Sequence, residues 1–107
     1  MIQEGYEHPA LEDVTLAEVL HALSDPLRLS IVATLRAGGE RGWGEFDTPV
    51  AASTLSHHMK VLRLAGLIRT RREGQRCQIA LRPELEERFP GLLGTVLNLA
   101  GKDAAGR

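Results

Sequence analysis

Ser53, Thr54, Ser56, His57, His58 and Lys60 crowd hydroxyl, imidazole and ammonium groups into one short stretch of the chain. Three chemistries are open to such a set: metal ligation through imidazole, acid–base or nucleophilic catalysis, and hydrogen bonding to nucleic-acid bases and phosphates. Metal binding fits poorly. Neighbouring helical residues diverge by about 100°, so His57 and His58 do not readily share an ion, and His8 and His21 have no partners at ligand spacing. The single cysteine, Cys77, excludes a Cys-rich zinc site and an internal disulfide. Catalysis fits no better, because no nucleophile, base and orienting acid share a recognisable motif and no Gly-rich phosphate loop follows a strand. The chain reads as a non-enzyme with no catalytic residues, no metal site and no cofactor. Recognition of nucleic acid remains: short hydroxyl side chains let a helix enter a major groove closely, where His, Ser, Thr and Lys reach base edges or phosphates.

A helix has to carry those groups. Leu55, Met59 and Leu62 fall on one side of it, with His58 and Ala65 at the edge. Ser53, His57 and Lys60 fall on the opposite side, flanked by Ser56 and Thr54. Gly66 is placed to stop the helix. Beyond it, Ile68, Thr70 and Arg72 alternate with Arg69 and Arg71, Glu73-Gly74-Gln75 supplies a turn, and Cys77, Ile79 and Leu81 alternate with Gln78 and Ala80. That pattern predicts a two-stranded β-hairpin with a charged tip. A recognition-type helix followed by a basic ribbon is a winged helix-turn-helix, mainly α with a small hairpin. Candidate DNA contacts are Ser53, Thr54, Ser56, His57 and Lys60 on the helix, and Arg69, Arg71, Arg72, Gln75 and Arg76 on the wing. Residues 51–82 hold seven basic side chains against Glu73 alone, a balance of +6 in a chain of net charge −1, so the remainder carries −7. A basic element on an acidic body suits a polyanion held on one side.

The rest of the 107 residues reads as support for this unit, in one domain over 1–107. An apolar fraction of 43% with 25% charged residues is ordinary for a folded soluble domain, and neither a membrane span nor a signal peptide is legible, so a cytoplasmic location is expected. Residues 1–14 are expected to form an irregular, mobile arm of little functional weight. Thr15-Leu16-Ala17-Glu18 is a capping box that starts the first helix, and Asp25-Pro26 starts a second ending at Gly38-Gly39, so that the two helices fill 15–37. The helix-turn-helix is assigned to 44–66. Its first helix has only Gly44 to Asp47 to form in and must be short or 3₁₀-like. Trp43 and Phe46 are expected to pin this segment to the core. The wing occupies 67–82. The C-terminal helices occupy 83–101: a short acidic one runs to about Phe89, and a second after Pro90 leads into a frayed tail from Gly101 to Arg107. Leu16, Val19 and Leu20 on the first helix, with Leu93, Val96 and Leu97 on the last, offer more apolar surface than one small subunit covers, which predicts a homodimer.

The strings ALSDPLRLSIVATL, STLSHHMKVLRLAGLI and RTRREGQRCQIAL resemble the ArsR-type family of bacterial winged helix-turn-helix transcriptional regulators, over roughly residues 15–82. The resemblance implies a homodimer that binds double-stranded operator DNA of two-fold symmetry, often as a repressor released by an effector. Carried over by position, Ser53, Thr54, Ser56 and His57 become recognition-helix contacts, and Lys60 and the wing arginines backbone contacts. The chain departs from the metal-sensing members, having Gly42-Trp43-Gly44-Glu45 where some carry cysteines and Leu92 to Ala100 where others carry a histidine and carboxylate set. The serine that commonly caps the recognition helix is replaced by Ala51, which leaves that work to Thr48 or the backbone. A metal-independent dimeric repressor is therefore expected. Two alternatives stay open: a winged-helix module for protein–protein interaction, and a repressor sensing an unknown small molecule through Trp43 and Phe46 or oxidation through Cys77.

Overall fold

The computed structural model describes residues 6–105, with side chains as far as Lys102. The first five residues of the expected N-terminal arm and the last two of the expected tail lie outside the described residues. A 3₁₀ turn at Leu11–Asp13 leads into α1 (Leu16–Ala22) and α2 (Pro26–Gly38), then β1 (Arg41–Gly42) and a second 3₁₀ turn at Trp43–Glu45. There follow α3 (Ala52–Leu64), β2 (Ile68–Glu73), β3 (Arg76–Leu81), α4 (Glu84–Arg88) and α5 (Leu92–Ala105). The helix starts follow from local chemistry. Thr15 Oγ1 accepts from the Glu18 N–H at 3.1 Å, and Glu18 Oε1 accepts in return from the Thr15 N–H at 2.8 Å. Asp25 Oδ2 accepts from the N–H groups of Leu27 and Arg28 at 2.9 and 3.1 Å, while Pro26 fills a position that needs no donor. One core joins α1, α2, α3 and the sheet through Val19, Ile31, Val32, Met59, Leu62, Ile68 and Ile79, all fully buried.

The fold is mainly helical with a small sheet, as the periodicity implied, but the sheet has three strands in the order β1-β3-β2 rather than the two expected. Arg41 lies opposite Ile79 and Gly42 opposite Gln78. The segment after α2 lacks helix formers, and in extended form it pairs with an edge of β3 that a lone hairpin would leave open. The first helix of the helix-turn-helix is reduced to the Trp43–Glu45 turn, in which Glu45 Oε1 accepts from the Gly42 N–H at 2.9 Å. Where a frayed tail was expected from Gly101, α5 runs on to Ala105. One glycine costs about 0.5–1 kcal/mol in a helix interior, and alanines on either side of it favour continuation.

The N-terminal arm also departs from expectation. Leu11 and Val14 are buried in the core, and Arg88 donates to their carbonyl oxygens at 3.2 and 3.0 Å. Gly66, at φ +83°, makes the turn from α3 into β2, where an added Cβ would lie 3.0 Å from a Val14 methyl. Among the described residues no helix is long and apolar enough to cross a membrane.

Candidate nucleic-acid interface

The recognition-type helix is α3, and its two sides divide as the helical wheel requires. Leu55, Met59 and Leu62 are 6%, 1% and 0% exposed against the core, while Ser53, Thr54, Ser56, His57 and Lys60 are exposed on the other side. Thr48 does not cap the helix: its N-cap is Ala51 and no side chain bonds to its first turn. A helix starting without a side-chain cap presents donor N–H groups and the positive end of its dipole, both complementary to phosphate.

The wing follows from register. Ile68, Thr70 and Arg72 pair with Leu81, Ile79 and Cys77, while Arg69, Arg71 and Glu73 pair with Ala80, Gln78 and Arg76. Because side chains alternate, Arg72 shares the face of Thr70 and Ile79, and Arg69 and Arg71 point away from it. Gly74 and Gln75 close the hairpin, with Gly74 at φ +64° as the first turn position of a two-residue loop demands. Arg71 is already engaged. Its guanidinium meets Glu40 at 2.6 Å and Glu73 at 3.1 Å. Among the described residues Lys60, Arg69, Arg72 and Arg76 form no ion pair. Gln75, Arg76 and Arg72 are exposed at or beside the tip.

Beneath α3, the buried Arg28 donates through Nε to the Ala22 carbonyl at 2.7 Å and through Nη1 to His58 Nδ1 at 3.0 Å. Arg28 therefore ties α1, α2 and α3 together. His58, at the edge of the apolar side, is turned towards the start of α2. Its Nδ1 faces Asp25 Oδ2 only at 3.9 Å. Burial raises the Asp25 carboxyl, but the N–H groups of Arg28 and Leu27 and the charge of Arg28 outweigh it and hold the group below its usual range. With His57 exposed and His58 committed to Arg28, the two rings serve different purposes. Among the described residues no three His, Cys, Asp or Glu side chains gather as a metal site.

A groove of about 390 Å³ runs along the exposed side of α3, lined by Ser53, Ser56, His57, Lys60 and Arg63 and walled by Tyr6 and Trp43. Tyr6 is the residue that local pattern could not find, because it reaches the groove from the far end of the sequence. Trp43 and Phe46 both pack on the core, as expected, and line different grooves, Phe46 lying with Ile31 and Thr34. Cys77 is half-buried, and its Sγ lies 3.3 Å from Tyr6 Oη. That contact, then burial, raises the Tyr6 hydroxyl above its ordinary value.

The residues expected at a subunit interface divide. Val19 and Leu93 are 0% and 6% exposed, buried in the core of the single chain. Val96 and Leu97 are half-buried against the core, while Leu16 and Leu20 are 47% and 44% exposed on α1. Leu99 on α5, not among those expected, is the most exposed of the large apolar side chains among the described residues, at 57%.

Known proteins are similar to this chain in sequence and fold. A family profile described as a helix-turn-helix domain matches residues 23–71. The HTH-type transcriptional regulator YceK of Bacillus subtilis is 36% identical over 89 residues, covering 79% of this chain and 89% of its own length. The biofilm growth-associated repressor of Xylella fastidiosa is 39% identical over 74 residues, 67% of this chain and 61% of its own length. The crystal structure of an ArsR family transcriptional regulator superposes with a TM-score of 0.60 over 94% of this chain and 99% of that one; at 24% identity the likeness is one of fold.

Proposed function

The chain belongs to a family of helix-turn-helix transcriptional regulators, and from that premise we propose that it is a winged-helix regulator of ArsR type, a dimeric repressor that binds a two-fold symmetric operator without a metal. The carrying observation is α3. Its inner face is locked into the core, so the exposed Ser53, Ser56, His57 and Lys60 are held at fixed positions beside a wing whose Arg69, Arg72 and Arg76 form no ion pair among the described residues. In this reading Ser53, Thr54, Ser56 and His57 meet base edges, and Lys60, Arg69, Arg72, Gln75 and Arg76 meet the backbone. Arg71 joins them only by leaving Glu40 and Glu73.

The retained polar face and basic wing favour DNA over a protein partner, since a winged helix used only as an adaptor has no need of either. Repression is supported by the likeness to the Xylella fastidiosa repressor. Dimerisation is supported by the exposed leucines of the first and last helices, Leu16, Leu20 and Leu99, with Val96 and Leu97 beside the core. A dimer sets half-sites about 34–36 Å apart, or a multiple of that.

Selection of bound sequences from random duplex DNA, with sedimentation of the free protein, tests the proposal. A palindromic consensus and a dimer at about micromolar concentration are the expected results. Failure to enrich any sequence would refute operator binding, and a monomer in the presence and absence of DNA would refute the dimer.

A further inference from the structure

The arm Tyr6–Ala10 touches each element of the interface. Arg63 of α3 donates through Nε to the Glu7 carbonyl at 3.0 Å and lies over the Tyr6 ring, 5.3 Å from its centroid. Tyr6 Oη meets Cys77 of β3, and Arg82 donates to the Pro9 carbonyl at 2.6 Å. At the centre His8 Nε2 lies 3.0 Å from the backbone nitrogen of Thr70. β2 is an edge strand, so that N–H has an outward acceptor only because the arm supplies one. The arm thus bridges α3 and both strands of the wing on the outside, in addition to the buried core that they share.

The chemistry of the central bond is specific. A backbone amide can only donate, so Nε2 must carry a lone pair, and the neutral ring must hold its proton on Nδ1. A second proton turns the acceptor into a donor facing a donor. It also places a cation beside Arg63 from α3, Arg69 from β2 and Arg82 from the end of β3.

We propose that Tyr6–Ala10 is a clasp setting the wing against α3, with His8 as its positioning residue, and that protonation of His8 opens it. The effect on operator affinity rests on the DNA-binding reading above; the clasp does not. Burial, then the charges of Arg63, Arg82 and Arg69, lower the His8 imidazole from its ordinary 6.5. The docked arm therefore prefers the neutral ring. Its contribution is complete above 6.5 and is drawn down as pH falls from there to the depressed value.

The test compares the full-length wild type with His8→Gln, whose side-chain carbonyl has the same reach and does not titrate. By NMR without DNA, the His8 ring of the wild type should titrate below 6.5, with the Thr70 amide and Tyr6 ring moving at the same midpoint. In His8→Gln, Thr70 should stay put. A His8 midpoint at or above 6.5, or a Thr70 amide that follows pH equally in both proteins, would overturn the clasp. Operator affinity between about pH 7.5 and 5.5 then isolates the consequence, because the two proteins differ at His8 alone. The wild type should lose several-fold more than His8→Gln, and equal losses would overturn the coupling to DNA. Failure of both proteins to bind any selected duplex, with Thr70 still following His8, would count against the DNA-binding reading and support the clasp.

Discussion

The outer face of α3 and the wing stand side by side and are built in opposite ways. On α3 the exposed groups are short and their backbone is anchored by Leu55, Met59 and Leu62, which barely see solvent. On the wing the exposed groups are long, the outer half of the ribbon has little under it, and Arg71 already serves two carboxylates. A short side chain on a fixed backbone discriminates between bases, because it reaches one position only. A long one on a thin ribbon follows phosphates wherever they run, and protein carboxylates can tune it.

The largest effect should come from removing the anchor. Leu62→Ala should cost about 2–5 kcal/mol of stability, a large share of the roughly 5–15 kcal/mol that holds such a domain. Denaturant unfolding measures it, and affinity for specific and random duplexes should fall together. A loss under about 1 kcal/mol would mean that the outer face does not depend on the buried one.

Next comes the reader itself. His57→Ala should forfeit about 1–3 kcal/mol of discrimination, seen as lost affinity for the selected operator with random-duplex binding retained. Equal weakening of both duplexes would assign His57 to the backbone instead.

Arg72→Ala tests the wing. Losing one phosphate contact should flatten the slope of log affinity against log salt by about one unit per subunit, on operator and random duplex alike. Loss confined to the operator would indicate that Arg72 reads groove shape.

The smallest effect is also the most particular to this chain. Glu40→Gln releases half of the hold on Arg71, so salt-sensitive affinity should rise slightly, and Arg71→Ala should matter less than Arg72→Ala. If Arg71→Ala proved the more damaging, its carboxylate pairs would have to give way to DNA entirely.

Much of this was legible from local pattern. The two sides of α3 follow from helical period, the starts of α1 and α2 from capping residues, and the alternation of β2 and β3 from strand period, because each depends on neighbours a few residues away. The segment from Glu40 to Thr48 was harder. With glycines and few helix formers it has weak preferences of its own, and its third strand was settled by the open edge of β3. Period alone put Leu16, Val19 and Leu20 together on α1, whereas the core buries Val19 and leaves Leu16 and Leu20 outside.

Spacing and residue type thus sufficed for which groups face outward on the helix and for the basic character of the ribbon. They could not tell which arginines are engaged, where His58 points, or that an N-terminal arm crosses the interface. Arg71 with Glu40, His58 with Arg28, and His8 with Thr70 join residues far apart in the chain. Such pairs form only once packing has brought their backbones within hydrogen-bond reach, and no local preference encodes that distance.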